Sequence, residues 1–144
     1  MKNVLVVVDM QKKFIKECGA YEIVPFVADL IEKRRAEGYE ILLTLDKSGG
    51  KLCEEISASN YGWKIYKKHS YGCKRLILDL AERRPDKIEF AGVCTDICVI
   101  ANVMGVMVFL PECDITVNSK CCASTKNGHE AALRVMEACK INVK

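Results

Sequence analysis

No stretch of this chain is apolar for long enough to cross a bilayer. The longest run, ICVIANVMGVMVFL (97–110), has 14 residues with Asn102 inside it, short of the roughly 20 a membrane helix needs. It reads as a buried helix, and no membrane partner is expected. The opening MKNVLVVVDM has a cationic start, but Asp9 ends its apolar run after five residues, so it is not expected to be a secretory leader. Dense basic runs are missing beyond short groups such as Lys33-Arg34-Arg35, and a formal charge of +3 is too small to imply nucleic acid. There is no repeat, low-complexity segment or linker, and 144 residues suit a single domain spanning 1–144. No G-x-G-x-x-G follows the first strand-like run, so a dinucleotide site has no support.

Cysteine, in contrast, is abundant: there are nine, an odd number. Disulfide scaffolds are short, secreted and poor in core residues. This chain is half hydrophobic and rich in Val, Ile and Leu. Reduced thiols in a cytoplasmic protein are therefore expected, with Cys18, Cys53, Cys113 and Cys139 as structural residues. Cys94 and Cys98 stand four apart in AGVCTDICV (91–99). Structural zinc needs four ligands, and no second suitable pair accompanies them. Cys121-Cys122 is adjacent, and His69 and His129 add little, although His69 could line a pocket. No metal or cofactor is expected.

The pattern along the chain alternates strand and helix. NVLVVVD (3–9) is a short β-branched run of the kind buried on both faces of a parallel sheet. VPFVADLIEKRRAEGY (24–39) has apolar residues at helical spacing and Gly38 as a stop. EILLTLD (40–46) and WKIYKK (63–68) follow as strands, CKRLILDLAERR (73–84) as a helix closed by Pro85, and KIEFAGV (87–93) as the fourth strand. TDICVIANVMGVMVF (95–109) is its helix, with Thr95 or Asp96 as cap. DITVNS (114–119), TKNGHEAALRVMEACK (125–140) and INVK (141–144) give strand, helix and strand. The alternation predicts an α/β fold: three αβα layers around a Rossmann-like, mostly parallel six-stranded sheet.

Ligands of such sheets bind beyond the carboxyl ends of the strands. That rule selects Asp9, Asp46, Lys68 and the Cys94–Cys98 turn. At a helix start, Cys98 would feel partial positive charge and free amides, which lower a thiol pKa and hold an oxyanion. Asp9 can accept the thiol proton and return it to a leaving amine. Lys68 would favour the ionised forms of both. Any one of the three has a duller reading, as a core thiol, a loop cap or a surface charge. Their convergence singles them out.

The same residues carry a resemblance. VVVDMQKKF is similar to the D-x-Q-x-x-F opening of the isochorismatase-like cysteine hydrolases, which include nicotinamidases. KHSYG resembles the segment holding that family's lysine, GVCTDICV its nucleophile signature, and SKCCAST with HEAAL its C-terminal half. The resemblance implies Cys98 as nucleophile, Asp9 as proton-transfer partner and Lys68 as third member. Lys67 is the alternative, though Tyr71-Gly72 favours Lys68 in register. It further implies a cis bond between Val93 and Cys94, an oxyanion hole of the Cys94 and Cys98 amides, and Gln11, Phe14 and Tyr71 at pocket positions.

Two departures stand out. The nicotinamidase metal site would begin at Asp46, but the next histidine position is Ser48, and residues 47–66 contain no histidine. That segment also looks shortened, which implies a reduced lid and a site that is either wider or completed by a neighbouring subunit. The expectation is hydrolysis of a C–N amide bond of a small molecule through a thioester. The alternatives are vinyl-ether hydrolysis of the isochorismatase type, or a non-catalytic ligand-binding or thiol-sensing protein. Self-association into a homo-oligomer is also expected.

Overall fold

The computed structural model describes residues 2–58 and 62–144. Six strands form one sheet: β1 (Val4–Val8), β2 (Glu40–Asp46), β3 (Lys64–Lys68), β4 (Lys87–Val93), β5 (Asp114–Ala123) and β6 (Asn142–Val143). Their order is β3-β2-β1-β4-β5-β6, and every pairing is parallel. The chain thus winds outward from β1 to β3, then crosses back to lay β4 on the other side of β1. That reversal opens a crevice between the carboxyl ends of β1 and β4.

All five residues of β1 are buried, as a central strand covered on both faces requires. Val4, Val6 and Val8 face one core with Leu42, Ile88 and Phe90. There they meet α4 (Lys74–Arg83), α5 (Ile100–Phe109) and α6 (Lys126–Ala138). Leu5 and Val7 face the opposite core with Ile41, Leu43 and Val93, covered by α1 (Lys12–Cys18), α2 (Val24–Ala36) and the one-turn α3 (Glu54–Ser57). The three-layer arrangement is the one the alternation implies. Among the described residues no helix is long and apolar enough to cross a membrane.

Several elements differ from the sequence reading, the one-turn α3 among them. α1 was not foreseen: it has seven residues, buries only Ile15, and ends at Gly19, whose φ of +63° suits glycine. β5 runs four residues past Ser119, to Ala123. Its pleat therefore sends the adjacent Cys121 and Cys122 into opposite cores, which explains a spacing that suits neither a chelate nor a disulfide. The helix after β4 opens with a π-type turn, Thr95–Val99.

The expectation of reduced thiols is corrected at one pair: Cys18 and Cys94, 76 residues apart, form a disulfide, with Cα atoms 6.9 Å from each other. The other seven cysteines are free. The separation hid the pair, because only the fold brings the end of α1 against the end of β4.

Candidate active site

Asp9 immediately follows β1 and is fully buried, with a left-handed φ of +50°. Few non-glycine residues adopt that conformation, and it clusters at functional positions. Its carboxylate is held by Thr44 of β2, whose Oγ1 donates to Oδ1 at 2.8 Å. Lys68 ends β3 and is 4% exposed. Its Nζ lies 2.8 Å from Asp9 Oδ2, 3.4 Å from Asp46 Oδ2 and 3.7 Å from Cys98 Sγ, and it donates to Ser70 O at 2.8 Å. Lys67 points the other way along the strand and is exposed, so the register argument for Lys68 agrees with the geometry. Asp9, Lys68 and Cys98 are brought together.

The turn carrying Cys98 is fixed by its neighbours. Gly92, at φ +124°, lets β4 approach β1 so closely that any Cβ there would collide with Val8 backbone. The Val93–Cys94 bond that follows is cis. Cys94 O accepts from Ile97 N and Val99 N, both at 3.1 Å, closing the π-type turn. Thr95, fully buried, shares a 2.7 Å hydrogen bond with His129 Nδ1, and Asp96 Oδ1 accepts from Ser124 Oγ at 2.5 Å. Both bonds brace the turn on the start of α6, a use for His129 that the sequence did not show. Burial pulls the His129 pKa down.

Asn102 is the residue the sequence reading passed over. It is fully buried one turn beyond Cys98. Its Nδ2 donates to Cys98 O at 2.8 Å and Tyr71 O at 3.3 Å, while its Oδ1 accepts from Cys73 N at 2.8 Å. One amide thereby ties the loop after Lys68 to the Cys98 turn. A polar residue inside a 14-residue apolar run was the available signal.

The electrostatics overturn one expectation. Burial, then the Asp9 carboxylate, push the Cys98 thiol up to about 12, so it is not lowered by its place near a helix start. Burial also raises Asp9 against the opposing hydrogen bond and charge of Lys68. Burial alone would lower Lys68, but Asp9, with Cys98 and Asp46 behind it, holds the ammonium above its ordinary range. The Cys98 sulfur thus sits beside the buried Asp9–Lys68 pair.

The remaining candidates divide. Gln11 is 1% exposed; its Nε2 donates to Asp46 O at 2.8 Å and Gly50 O at 2.9 Å, and its Oε1 accepts from Asp46 N at 2.8 Å. It is chiefly a clamp on the loop after β2, at the edge of a cavity of about 470 Å³ shared with Leu45, Asp46, Lys47, Gly50 and Lys67. Phe14 is half-buried beneath Gly49. Tyr71 is exposed and lines a second cavity, of about 460 Å³, with Asp46, Lys47, Ser48, His69 and Ser70. Neither cavity is lined by Asp9, Lys68 or Cys98. The loop after β2, short as it is, closes onto Phe14 and Gln11 and does not leave the site wide.

Asp46 does not fit a metal ion. Its Oδ1 accepts from Ser48 N at 2.9 Å and Ser48 Oγ at 2.7 Å, and its Oδ2 faces the Lys68 ammonium. Among the described residues no three His, Cys, Asp or Glu side chains gather as donors.

A doubly wound sheet with a carboxylate, an ammonium and a thiol gathered at its switch point defines an α/β protein with a candidate site there. The family model of the isochorismatase domain matches residues 3–143, and the chain belongs to that family. Comparison with curated proteins returns no match. Among solved structures, the nicotinamidase of Staphylococcus aureus aligns over 100% of both chains with a TM-score of 0.83 and 24% identity. The MAR1 ribonuclease of Caenorhabditis elegans gives 0.87 over 98% of this chain and 75% of that one, at 18% identity. The pyrazinamidase of Pyrococcus horikoshii in complex with zinc gives 0.82 over 100% and 99%, at 19% identity. At these identities the likeness is one of fold.

Proposed function

We propose that the protein is a hydrolase of a carbon–nitrogen amide bond in a small molecule, with Cys98 as nucleophile, Asp9 as proton carrier and Lys68 as their cationic partner. One observation carries the reading: a lysine nitrogen 2.8 Å from a buried carboxylate and 3.7 Å from a thiol, at the carboxyl ends of the strands. Asp9 takes the Cys98 proton as the sulfur attacks the amide carbon. The oxyanion is received by the backbone amides of Cys94 and Cys98. The C–N bond then breaks as Asp9 returns the proton to the departing nitrogen, leaving a thioester. Water gives a proton to Asp9 and attacks that thioester, the C–S bond breaks, and the thiol recovers its proton. A carboxyl raised by burial is a better base for this exchange than an ordinary aspartate. Lys68 keeps the Asp9 charge tolerable inside the fold. The cavity between Asp46 and Tyr71 lies within the range of ligand pockets and borders Lys68 through Asp46 and Ser70.

The test is ammonia release from a panel of small primary amides, nicotinamide and pyrazinamide among them, with intact-mass detection of an acyl adduct. Cys98→Ala should lose turnover by a factor on the order of 10³ or more, with unchanged circular dichroism. Wild-type rates in Cys98→Ala, or neither ammonia nor adduct across the panel, would remove covalent amide hydrolysis from consideration.

A further inference from the structure

The carboxyl ends of β2 and β3 gather positive charge that the proposed chemistry does not use. Residues 46–51 and 67–70 hold four lysines, Lys47, Lys51, Lys67 and Lys68, against one acid, Asp46. That excess of three equals the excess of the whole chain. Lys68 is engaged by Asp9 and Asp46. Lys47 is not engaged: its amide donates to Lys68 O at 3.1 Å, but its exposed side chain has no ion pair or hydrogen bond among the described residues. It stands in the wall of both cavities at this end of the sheet. The cavity of about 460 Å³ between Asp46 and Tyr71 is the better placed. Its Asp46 wall meets the Lys68 ammonium at 3.4 Å, and that ammonium meets the Cys98 sulfur at 3.7 Å. A ligand held there is one side chain away from the thiol. The polar lining is one-sided. Lys47 offers an ammonium, His69 a ring N–H and Tyr71 a hydroxyl, and none of these side chains has a partner among the described residues. Asp46, the acid in that wall, has Oδ1 filled by Ser48 and Oδ2 turned to Lys68. The Ser48 and Ser70 hydroxyls donate to Asp46 Oδ1 and Gly72 O. Asp9 is fully buried and lines neither cavity.

We propose that this cavity is an anion subsite, in which Lys47, with His69 and Tyr71 beside it, holds a carboxylate or phosphate group. A neutral ligand would leave the ammonium unanswered, whereas an anion supplies the acceptor that the wall lacks. Charge-assisted hydrogen bonds are roughly twice as strong as neutral ones, so Lys47 carries most of the preference. The ligand class follows from the position of the cavity: a short molecule with an anionic group a few bonds from a carboxamide, whose carbon reaches Cys98. Calling that ligand the substrate rests on the amidase reading; the anion subsite does not.

Binding is measured in Cys98→Ala, which spares the amide, by saturation-transfer NMR titration with succinamate, 3-phosphonopropanamide and the neutral succinamide. At about 0.05 M salt, one or both anions should bind at least about tenfold more tightly than succinamide, and the margin should shrink at about 0.5 M. Lys47→Gln should remove most of that margin. Lys67→Gln deletes the same charge from the adjoining cavity alone. At about 0.15 M salt it should cost less than about threefold, because a charge out of contact is screened over about 8 Å. Both lysines are exposed, so neither change threatens the fold. Equal affinity for the anions and succinamide, or equal losses from the two lysine variants, would overturn the subsite. Should Cys98→Ala not fold, wild type and Lys47→Gln are titrated with succinate, the acid that succinamate would yield; unchanged binding in Lys47→Gln would be just as fatal. Lys47-dependent anion binding without ammonia from any amide would support the subsite and count against the amidase alone. Amide turnover with no anion preference would count against the subsite alone.

Discussion

Replacing Lys68 by methionine removes one ammonium and strands two carboxylates, of which Asp9 is the worse placed. The side chains of Lys68, Asp9 and Asp46 are 2%, 0% and 13% exposed. Asp46 keeps both Ser48 bonds and some water, whereas Asp9 keeps Thr44 and the Cys98 thiol. Removing one member of a buried ion pair costs about 3–5 kcal/mol, because the other is left buried and uncompensated. Asp9→Asn should cost less, about 1–3 kcal/mol, since Lys68 retains Asp46 and Ser70 O. The double variant should recover at least about 1.5 kcal/mol of the summed losses. Acidity supplies an independent check. Lys68 lowers Asp9 against burial, so without it the carboxyl rises further. A raised folded-state pKa gives a contribution that is present below the unfolded value and lost as pH climbs through the folded one. The Lys68→Met deficit should therefore shrink from pH 8 to pH 5. Urea unfolding followed by circular dichroism, without reductant so that Cys18–Cys94 is kept, measures both. A deficit under about 1 kcal/mol that ignores pH, or Asp9→Asn costing more than Lys68→Met, would refute the buried pair.

Cys98 should behave as a weak acid. With its thiol near 12, its alkylation rate should still be climbing at pH 10, where an ordinary thiol has levelled off, and a plateau below pH 9 by peptide mass spectrometry would contradict its burial beside Asp9. Asn102→Ala leaves the buried Cys73 amide without its acceptor and frees the Cys98 turn from the loop at Tyr71. It should lower the unfolding free energy by about 2–3 kcal/mol in urea, and a loss under about 0.5 kcal/mol would deny the bridge. Dialysis against EDTA should leave the melting temperature in place, and zinc should not raise it. A zinc-dependent rise above about 3 °C, near 1 kcal/mol for a chain of this length, would restore Asp46 as a metal ligand.

Much of the fold was legible because its parallel strands are β-branched and buried on both faces, so they stand out as short apolar runs between amphipathic helices. β2 and β4 have the residues that periodicity marks out, Glu40–Asp46 and Lys87–Val93. The strand-end rule also gathered Asp9, Lys68 and Cys98 before any contact was known. α1 escaped because four of its seven residues are charged and only Ile15 is buried, leaving no stripe to read. The clamping roles of Asn102 and of Gln11, which the resemblance marks only as a pocket position, escaped for a different reason. An amide's role lies in which backbone groups it meets, and Tyr71 and Cys73 for Asn102, with Asp46 and Gly50 for Gln11, are 29 to 39 residues away. The acidity of Cys98 was misjudged because a helix start acts over one turn, whereas burial and the adjacent Asp9 act on the sulfur directly.

Charge explains why Asp46 and the departure at Ser48 belong together. Two carboxylates and one ammonium leave this corner with one negative charge when all are ionised, and Ser48 adds hydrogen bonds without adding charge. A divalent ion placed on Asp46, about 5 Å from the Lys68 nitrogen, would meet that ammonium with a repulsion on the order of 7 kcal/mol at an effective dielectric near 20. Asp46 alone would have to offset that while giving up its Ser48 bonds. With no histidine at position 48, ammonium and metal compete for one carboxylate, and the ammonium is covalently attached. Asp46 accordingly acts here as the second counter-ion of Lys68, holding that side chain between the loop after β2 and the thiol. Asp46→Asn should loosen Lys68 without stranding it, and its stability loss should be the smallest of the three charged positions.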